Sequence, residues 1–252
     1  MFDGPQSAPV SDAQRARALL LIDRQPRQDE TELVDWLSRL CLSLATDVGV
    51  AGAAITLSPE GGAGEPVAAA SDAASRRVAE LGFAVGEGPA VDALLSGRPV
   101  LVPLLGGPLY GSWPGYTSAA TDLGVCAAFC FPLQVGAVRF GVLSVFAAAP
   151  TELGTAALGT CLTMAALATE RLLDSAGQTH SGELEPDLDN ALSFHSEIYQ
   201  AQGMVAVALD ITLAQALSRM RGHAFVTDRQ LLEIAVDIVE GQLRLPDDRS
   251  TT

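Results

Sequence analysis

Two long apolar segments, "VCAAFCFPLQV" (125–135) and "AVRFGVLSVFAA" (137–148), are separated by one residue, Gly136. A glycine between two such runs is a tight-hairpin signal, so this stretch commits the chain to an antiparallel sheet. Helices and shorter strands surround it. Residues 29–47 carry Leu33, Trp36, Leu37, Leu40 and Leu44 at helical spacing. "VAGAAITL" (50–57), "VAAA" (67–70) and "RPVLVP" (98–103) read as strands. Helices are expected over 73–81, after the "GEGP" turn (86–89), near 113–124 and over 152–174. A mainly antiparallel sheet flanked by helices is an α+β arrangement.

The chain has 252 residues, enough for one or two domains with real cores. No uninterrupted apolar run approaches the ~18 residues of a membrane span, and the N-terminus lacks the basic-then-apolar order of a signal peptide. A cytoplasmic protein without a membrane partner is expected. Cys41, Cys126, Cys130 and Cys161 show no tight pairing, which fits free core thiols in a reducing compartment. Cys126 and Cys130 share one face of a strand roughly 13 Å apart, too far for a mutual disulfide or a shared metal. His180, His195 and His223 all follow the sheet-forming part of the chain, so no Cys/His metal site or thiolate–imidazole pair is expected there. No catalytic constellation emerges. The chain is read as a non-enzyme with no metal and no cofactor. A formal net charge of −15 argues against indiscriminate binding of nucleic acid or anionic membrane.

Residues 175–190, "SAGQTHSGELEPDLDN", are small and polar with four carboxylates and no arginine. They divide the sheet domain from an all-helical tail. The parts are an N-terminal extension (1–28), a sheet domain (29–174), an acidic linker (175–187), a helical domain (188–245) and a short tail (246–252). Three helices are expected in the helical domain, over about 188–208, 213–226 and 228–241. Thr212 with Gln215 and Thr227 with Gln230 fit capping boxes at the starts of the second and third.

On the first of these helices Ala191, Phe194, Ile198, Ala201 and Val205 recur at spacings of three and four, a coiled-coil-like seam suited to a homodimer. Gly203 lies near the opposite side. Glycine in a helix is disfavoured by about 1 kcal/mol against alanine, so it is read as a packing glycine that lets a neighbour approach closely. On the second helix Leu213, Ala216, Leu217, Met220 and Ala224 form the buried stripe. Gln215, Arg219 and His223 run along one outer side, Arg221 flanks the other, and Arg229 opens the third helix. By spacing alone this basic cluster is either solvated surface with local ion pairs or a binding face. The segment 191–245 has four arginines against six carboxylates.

"QAQGMV" (200–205), "QALSRMRGHA" (215–224) and "LLEIAVDIV" (231–239) resemble the ANTAR domain, a three-helix RNA-binding module of bacterial transcription antitermination regulators. The likeness falls on Ala201, Gly203, Ala216, Arg221, Ala224 and Ala235. Residues 30–174 are similar to the GAF domains joined to such tails, through "GEGPAVDALLSGRPVLVP", "WPGY" and "LGVCAAFCFPLQVG". The resemblance implies a dimer that binds paired hairpins in a nascent transcript and keeps a terminator hairpin from forming. RNA loops are read by stacking and by contacts to exposed base edges and phosphates. Carried over by position, the RNA-contacting residues are Gln202, Arg219, Arg221, His223 and Arg229. Gln202 stands where lysine is common in that family, and Asp228 where asparagine is common. GAF domains hold small ligands between sheet and covering loops, which makes Tyr110, Trp113 and Tyr116 candidate pocket residues for an unknown small molecule. The same aromatic residues can instead plug the domain's own core. A second reading is a dimerisation or interaction module without RNA, and a third is a sulfoxide reductase, since some GAF-fold proteins reduce methionine sulfoxide with cysteines.

Overall fold

The computed structural model describes residues 11–27, 32–58, 67–107, 113–178, 196–227 and 229–246. Its first element is α1 (Asp12–Asp23), followed by α2 (Glu32–Ser43), which runs on as a π-helical turn (Leu44–Val48). Then come β1 (Gly52–Leu57), β2 (Val67–Ala70), α3 (Ala73–Val85), α4 (Pro89–Ser96), β3 (Val100–Val102), α5 (Pro114–Asp122), β4 (Ala127–Val135), β5 (Val138–Ala147) and α6 (Thr155–Gln178). Three further helices are α7 (Ser196–Leu209), α8 (Leu213–Thr227) and α9 (Leu231–Val239).

The five strands form one antiparallel sheet in the order β2-β1-β5-β4-β3. The hairpin expected at Gly136 joins β4 to β5, and Gly136 takes φ 59° there. Alternation along the strands divides the layers. Phe129, Phe131 and Leu133 of β4 with Leu143 and Val145 of β5 face α2 and α6. Ala128 and Phe146 face the opposite side, under α3 and α5, while Cys130 and Val142 meet Ala93 of α4. Helices therefore cover both faces, which explains why these strands read as unbroken apolar runs.

The region read as an N-terminal extension contributes a helix to this core. Ser11 and Gln14 cap α1 reciprocally, and Ala18 and Ile22 are buried with α2 and α6. Arg15 forks onto Glu170 of α6, and the buried Arg39–Asp35 pair of α2 reaches the Ile22 carbonyl. By length and mean hydropathy, Thr155–Ser175 of α6 is able to cross a membrane. Its Cys161, Met164, Ala168 and Leu172 pack instead into the sheet domain.

The helices α7, α8 and α9 share a second core, which Phe83 of α3 joins. Ile198, Ala201 and Val205 meet Ala216, Leu217, Met220 and Ala224 of α8 and Leu231, Ile234, Ala235 and Ile238 of α9. This corrects the seam: the stripe read as a contact between two copies is buried within one chain. Ala191 and Phe194, the other seam residues, lie outside the described residues. The Thr212–Gln215 box forms at the start of α8. The Thr227–Gln230 box does not, because the Thr227 hydroxyl donates back to the carbonyls of His223 and Ala224 and stays in α8. The Gln230 N–H is capped by Glu233 instead. Gly203 is also corrected, since a methyl group there would meet nothing within 4 Å.

Two glycines should respond oppositely to alanine. At Gly141 a Cβ would collide with the Thr56 carbonyl of β1, so Gly141→Ala is expected to destabilise by about 1–3 kcal/mol. Gly203→Ala should stabilise the tail by up to about 1 kcal/mol, because its site is open and alanine favours helix. Urea unfolding of both variants against the unmodified chain checks this pair, and a destabilised Gly203→Ala would restore the packing role.

Candidate functional site

The five residues carried over as RNA contacts have distinct environments. Gln202 is 2% exposed, and its side-chain amide donates to the Leu213 carbonyl at 2.8 Å. It ties α7 to the first turn of α8 from inside. Arg229 pairs with Asp237 at 2.8 Å and with Glu233 at 3.6 Å. Its hydrogen bond to Asp237 raises the guanidinium pKa further. Arg219 donates to the Pro246 carbonyl at 3.0 Å, securing the segment beyond α9. His223 lies one turn along α8 from Arg219, half-buried.

Arg221 leaves α8 on the other flank and meets the sheet domain. Its guanidinium carbon lies 5.2 Å from the centre of the Phe83 ring. Its Nη1 would be 2.8 Å from a methyl group placed on Gly86. Gly86 is the left-handed cap of α3, with φ 78° and its N–H bonded to the Gly82 carbonyl. A cation over an aromatic face and beside a helix C-terminus is favoured on both counts. Phe83 is buried in the core of the three-helix unit, with Ala84 packed beside it. The end of α3 is thus built into both halves of the molecule. Beside it opens a cleft of about 980 Å³, lined in part by Arg77, Glu80, Phe83, Arg221, Phe225 and Arg229.

The candidate pocket of the sheet domain is filled from within. Trp113 and Tyr116 are buried in the cluster formed by residues of all five strands with α3 and α5. Burial pushes the Tyr116 phenol pKa upward. Tyr110 lies outside the described residues. The "GEGP" turn has a definite task here. The Glu87 carboxylate accepts the Gly115 N–H at 2.7 Å and the Tyr116 N–H at 3.2 Å, capping α5. Gly88, at φ 135°, lies so close to the Tyr116 ring that a methyl group would be 2.9 Å from it. The turn holds an aromatic plug in place.

The family model for the GAF domain matches residues 31–172. The chain belongs to the GAF family. No curated protein matches it by sequence. Among solved structures, it resembles the GAF domain of a phosphoenolpyruvate-protein phosphotransferase from Coxiella burnetii, at 13% identity and TM-score 0.50, covering 66% of this chain and 94% of that one. The corresponding Acinetobacter domain gives 15% identity and TM-score 0.48 over 66% and 94%. A free methionine-R-sulfoxide reductase from Neisseria meningitidis, solved with its substrate, gives 17% and 0.47 over 70% and 99%. At these identities the likeness is one of fold.

The GAF domain's thiols are differently placed. Cys41, Cys130 and Cys161 are buried and Cys126 is half-buried. Desolvation raises the Cys41 pKa and pushes that of Cys161 up to about 12. Among the described residues no group of three His, Cys, Asp or Glu side chains is placed to hold a metal. Thiolate, not thiol, is the nucleophile, so native labelling near pH 8 should modify Cys126 first and leave Cys41 and Cys161 unmodified until the chain unfolds. Mass spectrometry of iodoacetamide-treated protein checks the order, and early modification of Cys161 would contradict it.

Proposed function

We propose that the chain is a non-enzymatic, cytoplasmic regulator whose GAF domain controls a three-helix RNA-binding unit acting against transcription termination. The observation that carries this reading is the core shared by α7, α8 and α9, on which α8 carries Arg219 and His223 outside its buried stripe and Arg221 on the flank that meets α3. That arrangement supports the ANTAR resemblance of 188–245. RNA hairpins with accessible loops are the partner class, because unstacked bases and nearby phosphates suit arginine and imidazole groups. Gln202 and Arg229 leave the proposed contact set. The first is internal and the second serves Asp237 and Glu233. A homodimer remains the proposed RNA-binding form, built on surfaces other than Ile198, Ala201 and Val205.

A second reading, a protein-interaction module, is favoured by Val207, Phe225 and Val226, which are 85%, 81% and 81% exposed on the same unit. The sulfoxide reductase alternative is disfavoured by the burial of three of the four cysteines.

Binding of the full chain to a two-hairpin RNA and to a loop-scrambled control, across a salt series, tests the proposal. Arg219→Ala is expected to weaken loop-dependent binding by about 1–3 kcal/mol and to reduce the salt slope. Binding that ignores the loop sequence or salt, or no binding under any condition, would favour the interaction module.

A further inference from the structure

The end of α3 and the flank of α8 bring together three features with no need of one another inside their own domains. Phe83 belongs to the GAF domain's α3 by sequence, yet its side chain is buried in the core of the three-helix unit. Arg221 belongs to α8, yet its guanidinium lies over that ring. Gly86 ends α3 in a left-handed conformation, and a methyl group there would stand 2.8 Å from the guanidinium Nη1 and 3.1 Å from its central carbon, so a larger residue would make the guanidinium shift. The contact is therefore specific in shape as well as charge. A cation is placed at the carbonyl end of a helix, on an aromatic face, in a notch made by a missing side chain.

We infer that this contact is an autoinhibitory clamp: Phe83 and Gly86 of α3 hold Arg221 against the GAF domain and keep the three-helix unit closed to RNA. The inference rests on the RNA-binding reading, and it names how that site is regulated. In the docked form the guanidinium gives one face to the Phe83 ring and has its Nε buried, so that face and that donor are withheld from a nucleic acid. Docking and RNA therefore compete for Arg221. Any event in the GAF domain that shifts the last turn of α3 biases the balance, since a ligand moves an equilibrium only through its different affinity for the two states. The connection is short. The turn that follows Gly86 carries Glu87, which caps α5 at Gly115 and Tyr116 beside the buried aromatic plug. The plug of the GAF domain and the clamp on the tail are thus joined through three consecutive residues, 86–88.

Two variants of the full chain separate this from a simple packing contact. Phe83→Ala removes the ring. Gly86→Asn keeps a residue tolerant of the left-handed conformation but sets a side chain where the guanidinium lies. Each is compared with the unmodified chain by binding to the two-hairpin RNA and by hydrogen exchange over residues 81–86 and 216–225. Both variants are expected to exchange faster at these two segments and to bind RNA at least ~5-fold more tightly, the lower end of ordinary allosteric coupling. Equal RNA affinity in all three proteins, with RNA binding present, would overturn the clamp. So would unchanged exchange in both variants. Faster exchange at both segments with no RNA binding by any of the three would uphold the docking contact and overturn the RNA-binding reading itself. Gly86→Asn guards against a misfolded Phe83→Ala, because its substitution lies at a cap and outside the buried core of the tail.

Discussion

Everything in the GAF domain is arranged around the β4–β5 hairpin and its two buried faces. A strand with one wet face needs a single covering layer. These two strands bury Phe129, Phe131, Leu133, Leu143 and Val145 on one side and Ala128, Cys130, Val142 and Phe146 on the other. The sheet must therefore be covered twice. One cover is α2 and α6, with α1 completing it through Ala18 and Ile22. The other is α3, α4 and α5, short helices linked by glycine-bounded turns. That second cover reaches the tail, because α3 is long enough to project Phe83 beyond the sheet's own core.

The legible parts of the chain were those fixed by local chemistry. Gly136, the alternating helices and strands, and the Thr212–Gln215 box each depend on a few neighbouring residues, and each forms as expected. Readings that required knowing what lies across a surface fared differently. Ile198, Ala201 and Val205 have the spacing of a dimer seam, but the same spacing serves any helix packed on two others. Gly203 looked like a packing residue because glycine is unfavourable in helices, yet its surroundings are open. Thr227 had a capping pattern that α8 overrode by extending one residue to include it. The helix α1 is encoded by the Ser11–Gln14 capping box alone, because its polar sequence has no strong apolar stripe to mark it as core.

The site was partly legible. Spacing places Arg219, Arg221 and His223 off the buried stripe of α8, as the structure has them, and their candidacy as RNA contacts comes from the ANTAR resemblance. Phe83 and Gly86 were missed because α3 was expected to stop at 81, which put the residues that meet the tail into a turn. The stretch "LGFAV" (81–85) holds enough apolar residues to carry the helix onward to its glycine cap. A pairing between α3 and α8 is separated by well over a hundred residues, and no local pattern encodes it. Gln202 shows the opposite difficulty. A glutamine on a helix ordinarily reads as exposed, and only the Leu213 carbonyl beside it makes it an internal fastening.

The acidic balance of the tail takes on a physical meaning in this arrangement. Arg219, Arg221 and Arg229 each have an acceptor or a ring within the chain. A basic cluster whose members are already engaged presents little net attraction to a polyanion. Burying a phenylalanine is worth about 1.5–3 kcal/mol, and a cation over its face adds about 0.5–2 kcal/mol. Ordering the arginine side chain offsets up to about 2 kcal/mol of that gain. The balance lies between about 0 and 5 kcal/mol, and each ~1.4 kcal/mol of it changes the closed-to-open ratio about tenfold. The apparent affinity for any partner of the open form is weakened in proportion to the open fraction. A contact of this size is within reach of one modest change at residues 86–88, because Gly86, Glu87 and Gly88 sit where the Arg221 contact, the α5 cap and the Tyr116 ring meet.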